Sequence, residues 1–453
     1  MKLRMIMKRA LQLLTGLITG GFLATSTLAQ ANYSTPYTFT TIAGTAGNTG
    51  GNDGTNGGAQ FFSPEGIAVD TNGNLYVVDN NENTIRKVAL VGTNWVVTTI
   101  AGTAGSAGSA DGTNGAAQFN GPVGITVDSL GQLYVADYGY NTIRKVTPVG
   151  TNWVVSTIAG TAGSGGPADG TNGSAQFNNP SGITVDTNGN LYVADFYNST
   201  IRKVAPVGTN WVVTTIAGMA QSYTSADGTN RVARFYGPSS ITIDGLGNLY
   251  VADTYNYTIR KLTPAGTNWV VTTIAGQVGN SGSADGTNFA AQFYYSKGIA
   301  ADGAGNLYVA DTYNNTVRKV APVGTNWVVS TLAGVAGITG TNDGTGASAL
   351  FSYPDGIAVD GAGNLYVGDT LNSTIRKGQN VAVLAVPNLT IGLTAPNSVV
   401  VSWPNLGSYT LQSNADLTTT NWVNYGGAVT TSNGTNSVTI SPPVGNLFFR
   451  LTP

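Results

Sequence analysis

Residues 119–160 read FNGPVGITVDSLGQLYVADYGYNTIRKVTPVGTNWVVSTIAG. The apolar run 124–128 is short, and Gly131 follows it in a tight turn, where a positive φ costs least. Leu133-Tyr134-Val135-Ala136-Asp137 is a second run of strand length. Residues 142–146 alternate apolar and polar and make a third, after which Pro-Val-Gly-Thr-Asn turns the chain. Residues 153–158, rich in β-branched side chains, form a fourth. A loop rich in Gly, Ala and Ser, carrying Asp169-Gly170-Thr171, leads onward. Four antiparallel strands repeated about an axis predict one blade of a β-propeller.

The stretch recurs every 58 residues. Trp95, Trp153, Trp211, Trp269 and Trp327 keep that step, as do Arg86, Arg144, Arg202, Arg260, Arg318 and Arg376. Six units result, but in the sixth Ala385 stands where the Trp belongs. The missing strand lies at the other end of the chain. Tyr37 is one period before Trp95, and Thr41-Ile42-Ala43-Gly44 matches Thr99-Ile100-Ala101-Gly102. The expected fold is all-β: a six-bladed propeller over residues 32–377, closed by residues 37–44. Closure would pair two otherwise open sheet edges. A linear solenoid would need polar caps instead.

These residues resemble a family. The pattern T-x-A-G, then D-G-T, then F-x-x-P-x-G-I-x-V-D-x-x-G-N-L-Y-V-A-D, then N-x-T-I-R-K is similar to the NHL repeat over residues 37–377 and all six units. The resemblance implies a six-bladed propeller, commonly a binding platform. Some relatives and look-alikes are enzymes. The lyases among them depend on His, which this chain lacks. The gluconolactonase pattern puts a metal-binding Glu ahead of the first strand's Gly-Pro. Here Asn120 precedes Gly121-Pro122 and Tyr236 precedes Gly237-Pro238, so that resemblance fails at the catalytic position.

Composition narrows the chemistry. Only 9% of the 453 residues are charged, against roughly 25% in an average soluble domain. Cys and His are both absent, which removes disulfides, thiolate and imidazole metal sites, and Cys or Ser–His nucleophiles. A formal charge of -2 gives no basic field for nucleic acid. Lys2, Arg4, Lys8 and Arg9, the apolar stretch 10–23 and Ala29-Gln30-Ala31 lay out a secretory signal peptide over residues 1–31. The apolar run is short for a ~20-residue membrane span. The expected product is secreted, periplasmic or held at the cell surface, monomeric, with no membrane span after signal removal. Residues 378–388 break the period and read as a linker. Residues 389–453 resemble a small fibronectin-III-like β-sandwich through V-S-W…Y-x-L-Q, with Trp403 and Trp422 as core.

The repeats separate scaffold from the rest. Of the 22 acids, 18 form three rings of six, running Asp53 to Asp343, Asp70 to Asp360 and Asp79 to Asp369. Asp70-Thr71-Asn72-Gly73-Asn74 echoes the first half of a calcium loop, but Asn81 stands where its bidentate Glu belongs. Turn capping and Asp–Arg pairing are therefore expected, with no metal and no cofactor. Among the non-repeated charges, Glu65, Lys297 and Asp355 share one phase, occupied elsewhere by Val123, Ser181 and Ser239. That phase opens the innermost strand and should rim the central channel. The loop after the second strand opens on the same face and varies too: Tyr138, Tyr140, Phe196, Tyr197, Tyr255, Tyr257 and Tyr313. A variable aromatic face on an invariant scaffold predicts recognition of a peptide, protein or glycan. Two alternatives stay open. The charges could form a local salt bridge with the tyrosines packed between blades. Or the channel carboxylates could serve a metal-assisted hydrolase or lyase.

Overall fold

A computed structural model describes residues 37–380 and, beyond them, 389–395, 398–405, 410–415, 421–432, 435–441 and 447–452. The expected leader and residues 381–388 of the expected linker lie outside the described residues. In the second repeat the strands are Gly124–Val127, Leu133–Asp137, Thr142–Val149 and Asn152–Ala159, paired antiparallel in that order. Leu133–Asp137 is buried at every position. A strand covered on both faces needs apolar residues throughout, which is why no alternation shows there. The two outer strands outrun their sequence signals. Pro148 and Val149 pair with Trp153 and Asn152, so the turn shrinks to Gly150 and Thr151.

The loop ahead of each unit corrects the strand count. Gly170–Thr171 pairs with Val213 and Val212 and adds a fifth strand at the outer edge. All six sheets keep this five-strand order. Two residues are too few to show a period of two, so no strand signal is legible there. The preceding aspartate does the fastening. Asp169 Oδ1 accepts from the Thr215 hydroxyl at 2.8 Å and from Arg202 Nη2 at 2.9 Å.

Arg202 is fully buried. Its Nη1 donates to Asp195 Oδ2 at 2.6 Å and to the Gln176 carbonyl at 2.8 Å. Its guanidinium lies 5.1 Å from the Phe177 ring centroid. The same two aspartates meet the arginine in every blade. The third ring caps its own turns: Asp70 Oδ1 accepts from the N–H groups of Asn72 and Asn74, each at 2.9 Å. All three rings are therefore occupied by scaffold contacts.

Each sheet is open, and none closes on itself. The inner strands of successive sheets abut, and that of the sixth abuts that of the first. A Cβ built on Gly356 would run into the carbonyl oxygen of Glu65, so only Gly permits that approach. Tyr37–Ala43 lies in the sixth sheet between Gly344–Thr345 and Thr374–Asn380, with Thr41 opposite Arg376 and Ala43 opposite Ile375. The last strand runs three residues past 377 because Asn380, Gln379 and Gly378 pair with Tyr37, Thr38 and Phe39. Each Trp wedges against a tyrosine of the preceding blade, as Trp211 does with Tyr134 at 5.9 Å. Tyr37 does the same against Tyr308 at 6.2 Å.

The C-terminal residues form two small sheets. One orders Thr390–Ala395, Ser398–Pro404, Thr435–Ile440 and Thr430–Ser432; the other orders Val423–Asn424, Thr410–Asn414 and Phe448–Thr452. Trp403 is buried with Val401, Leu411, Val438 and Ile440. Trp422 departs from expectation. It precedes a two-residue edge strand, lies outside that cluster and is half-buried, with the Arg450 guanidinium 4.6 Å from its ring. Among the described residues no helix is long and apolar enough to cross a membrane.

Candidate ligand site at the channel mouth

The phase shared by Glu65, Lys297 and Asp355 lies at the start of the inner strands. Glu65 sits in Pro64–Val69, Asp355 in Pro354–Val359, and Lys297 directly precedes Gly298–Ala301. The inner strands of all six blades wall a channel of about 270 Å³. At its mouth a second cavity, of about 400 Å³, brings Glu65, Lys297 and Asp355 together with Tyr138, Phe196 and Asn120. The three residues that share a sequence phase thus line one cavity.

The three are not equivalent. Lys297 Nζ donates to Asp355 Oδ2 at 2.7 Å. The lysine side chain is 40% exposed and the aspartate 11%. The Asp355 carboxylate holds the Lys297 ammonium well above the usual lysine range, against the opposing effect of burial. Two of the three charges therefore form the local pair. Glu65 has no hydrogen bond and no ion pair among the described residues. Burial pushes its carboxyl up to about 8; the negative charge of Asp355 adds to the shift and Lys297 opposes it.

Around the mouth runs an aromatic arc. Tyr138 meets Tyr197 at 6.5 Å and Phe196 at 6.4 Å, Phe196 meets Tyr255 at 5.4 Å, Tyr255 meets Tyr295 at 5.5 Å, Tyr295 meets Tyr313 at 4.8 Å and Tyr313 meets Tyr353 at 5.1 Å. The contacts cross blades two to six, so the rings do pack between neighbours. Even so, Tyr197 and Tyr313 remain 45% and 41% exposed. Edge-to-face contacts between rings leave their open surfaces available.

Tyr257, Tyr295 and Tyr353 carry φ of 59°, 48° and 52°. A bulky residue in this left-handed region is uncommon, and such strain costs on the order of 1–3 kcal/mol per residue. Other blades place Asn, Ser or Gly in these two phases: Asn83, Asn141, Ser199, Asn315 and Ser373 in one, Ser63, Gly121, Asn179 and Gly237 in the other. Nothing in blade architecture asks for tyrosine there.

Tyr140 is the exception among the expected residues, with no ring contact to the arc. Its phase carries Asn198, Asn256, Asn314 and Asn372 in the later blades, and each donates to the buried aspartate of its blade at 2.8 Å. Tyr236, Tyr294, Tyr295 and Tyr353 complete the arc and were missed from the sequence. Comparing blades in the two positions before the repeat proline would have found them. Among the described residues no group of three or more acids gathers as a metal site.

Comparison with known proteins agrees with this architecture. A model described as NHL repeat matches residues 61–88, 119–146 and 177–204, and one described as Teneurin NHL domain matches residues 212–390. The chain thus carries NHL repeats on a propeller-like fold. It is 30% identical over 339 residues to Protein SUPPRESSOR OF QUENCHING 1, chloroplastic, of Arabidopsis thaliana, covering 71% of this chain and 31% of that protein. This chain therefore spans about a third of that relative's length. A structural genomics protein of unknown function from Bacteroides thetaiotaomicron superposes with a TM-score of 0.58 at 23% identity, over 76% of this chain and 75% of that one. An auxiliary nutrient binding protein from the same organism superposes with a TM-score of 0.55 at 17% identity, over 76% of each chain.

Proposed function

We propose that this chain is a non-enzymatic binding protein whose ligand, a peptide, protein or glycan, seats on the channel mouth. The observation that carries the reading is the aromatic arc. It occupies one face of a scaffold that otherwise repeats itself, and three of its tyrosines hold backbone conformations that the scaffold fills elsewhere with Asn, Ser or Gly. A neighbour in fold named as a nutrient binding protein supports a binding role. In this reading residues 1–31 direct export, Tyr37–Ala43 locks the sixth blade to close the ring, and residues 389–453 form an appended sandwich behind a short linker. The hydrolase alternative draws less support, because the Asp355 carboxylate is engaged by Lys297 rather than free to act with Glu65.

The test is a peptide and glycan array probed with the full chain and with the triple variant Glu65→Val, Lys297→Ser, Asp355→Ser. Val and Ser already occupy this phase in other blades, so the variant should fold. Affinity for an array hit should fall at least tenfold, about 1.4 kcal/mol. An unchanged affinity would remove this arc as the site.

A further inference from the structure

We propose that the channel mouth receives one positively charged nitrogen, the ammonium of a lysine side chain or amino terminus of a peptide, seated against Glu65 and flanked by Tyr138 and Phe196. This rests on the reading of the mouth as the ligand site and adds the class of group that enters it.

Lys297 and Asp355 cancel each other at 2.7 Å. Glu65 is left over, in the same cavity and with no protein partner among the described residues. The scaffold supplies no substitute cation: its six ring arginines are fully buried and turned onto their own aspartates. An anionic ligand would meet a lysine whose charge Asp355 already neutralises, beside a second carboxyl. A neutral sugar exchanges a hydrogen bond with the Glu65 carboxyl but brings no charge to set against it; a cation does.

The walls fit the same chemistry. Tyr138 and Phe196 line the cavity, and an ammonium near an aromatic face is attracted by the ring quadrupole. Asn80 donates its amide N–H to the Pro122 carbonyl at 3.0 Å, which leaves its amide oxygen as an acceptor. A cavity of about 400 Å³ admits a side chain, not a folded segment. The tyrosines continue beyond it across blades three to six, giving the flanking residues of a peptide a surface to lie on.

Binding should also move a proton. The titratable and charged groups facing Glu65 are Asp355, Lys297 and Tyr138. Burial and Asp355 favour its protonated form in the empty site. An arriving ammonium favours the carboxylate and drives the proton to solvent, so affinity for a lysine side chain, which stays charged throughout, should rise between pH 6 and pH 8.5, whereas an amino terminus loses its own charge in that window.

Calorimetry on the full chain tests this with an acetylated, amidated Gly-Lys-Gly peptide, its Nε-acetyl counterpart, and cadaverine. The lysine peptide should bind, release protons to buffer, and lose at least tenfold with Glu65→Gln and with Glu65→Val; Val123 shows that the fold accepts Val at this phase. The Nε-acetyl peptide should not bind. No binding of the lysine peptide, or equal binding to Glu65→Gln, overturns the proposal. Cadaverine binding as tightly as the peptide overturns the peptide assignment. If the Nε-acetyl peptide or a neutral array glycan binds and weakens with Tyr255→Ser while the lysine peptide stays silent, the cation falls but the mouth remains the ligand site.

Discussion

At the residue scale, Glu65 decides the charge of the mouth, and its titration gives a stability test. Its carboxyl is raised in the folded protein from an ordinary value of 4.5 to about 8. The folded state thus binds more protons than the unfolded state between those values, and stability from this group falls as pH rises through that window. Glu65→Gln should therefore melt with the parent near pH 4 and above it at pH 8, by on the order of 2 °C for a protein of this size. Equal melting at both pH values would mean that Glu65 ionises freely in the fold. Their common phase placed Glu65, Lys297 and Asp355 at equivalent points of their blades, and all three line the second cavity. Which two pair was not legible, because side-chain reach across neighbouring blades is set by how closely the inner strands approach.

At the element scale, Tyr37–Ala43 and the tryptophans make separate predictions. The N-terminal strand fills the position that Asn94–Ala101 fills in the first sheet, and Asp343 accepts from the Thr41 N–H at 2.9 Å as Asp53 does from Thr99 at 2.8 Å. Removing residues 32–44 should strip Thr374–Asn380 of its outer partner, leave it paired only with Leu365–Asp369, and expose an open edge. Gel filtration and thermal melts should then report aggregation or large destabilisation. A deletion variant that stays monomeric with unchanged melting would refute closure by this strand. Trp211 is half-buried against Tyr134 and the neighbouring blade's core. Trp211→Ala should cost about 2–3 kcal/mol, below the range for a fully buried Trp, with ligand affinity unchanged in the folded fraction. Denaturant unfolding and a binding titration on the same sample would check both. The fifth strand was hidden at this scale, since Gly170–Thr171 is held by Asp169 rather than by any pattern of its own.

At the scale of the whole molecule, the sequence determined everything that repeats. A 58-residue period carries its own comparison, so invariant residues such as Arg202 and Asp195 could be assigned to the blade and the split sixth unit could be matched to Tyr37 before any coordinates. The same comparison singled out the positions that vary between blades. Only the tertiary structure decided what the rim does with its charges and rings. Lys297 reaches Asp355 from the next blade, Glu65 is left unpaired, and Tyr295 and Tyr353 turn into an arc from left-handed backbone positions. The physical reason is the range of the interactions. Strand pairing, turns and the Asp–Arg clusters act within one blade, and one blade's sequence encodes them. The mouth is built from single residues of different blades, brought together where six inner strands converge, and no local pattern records that meeting.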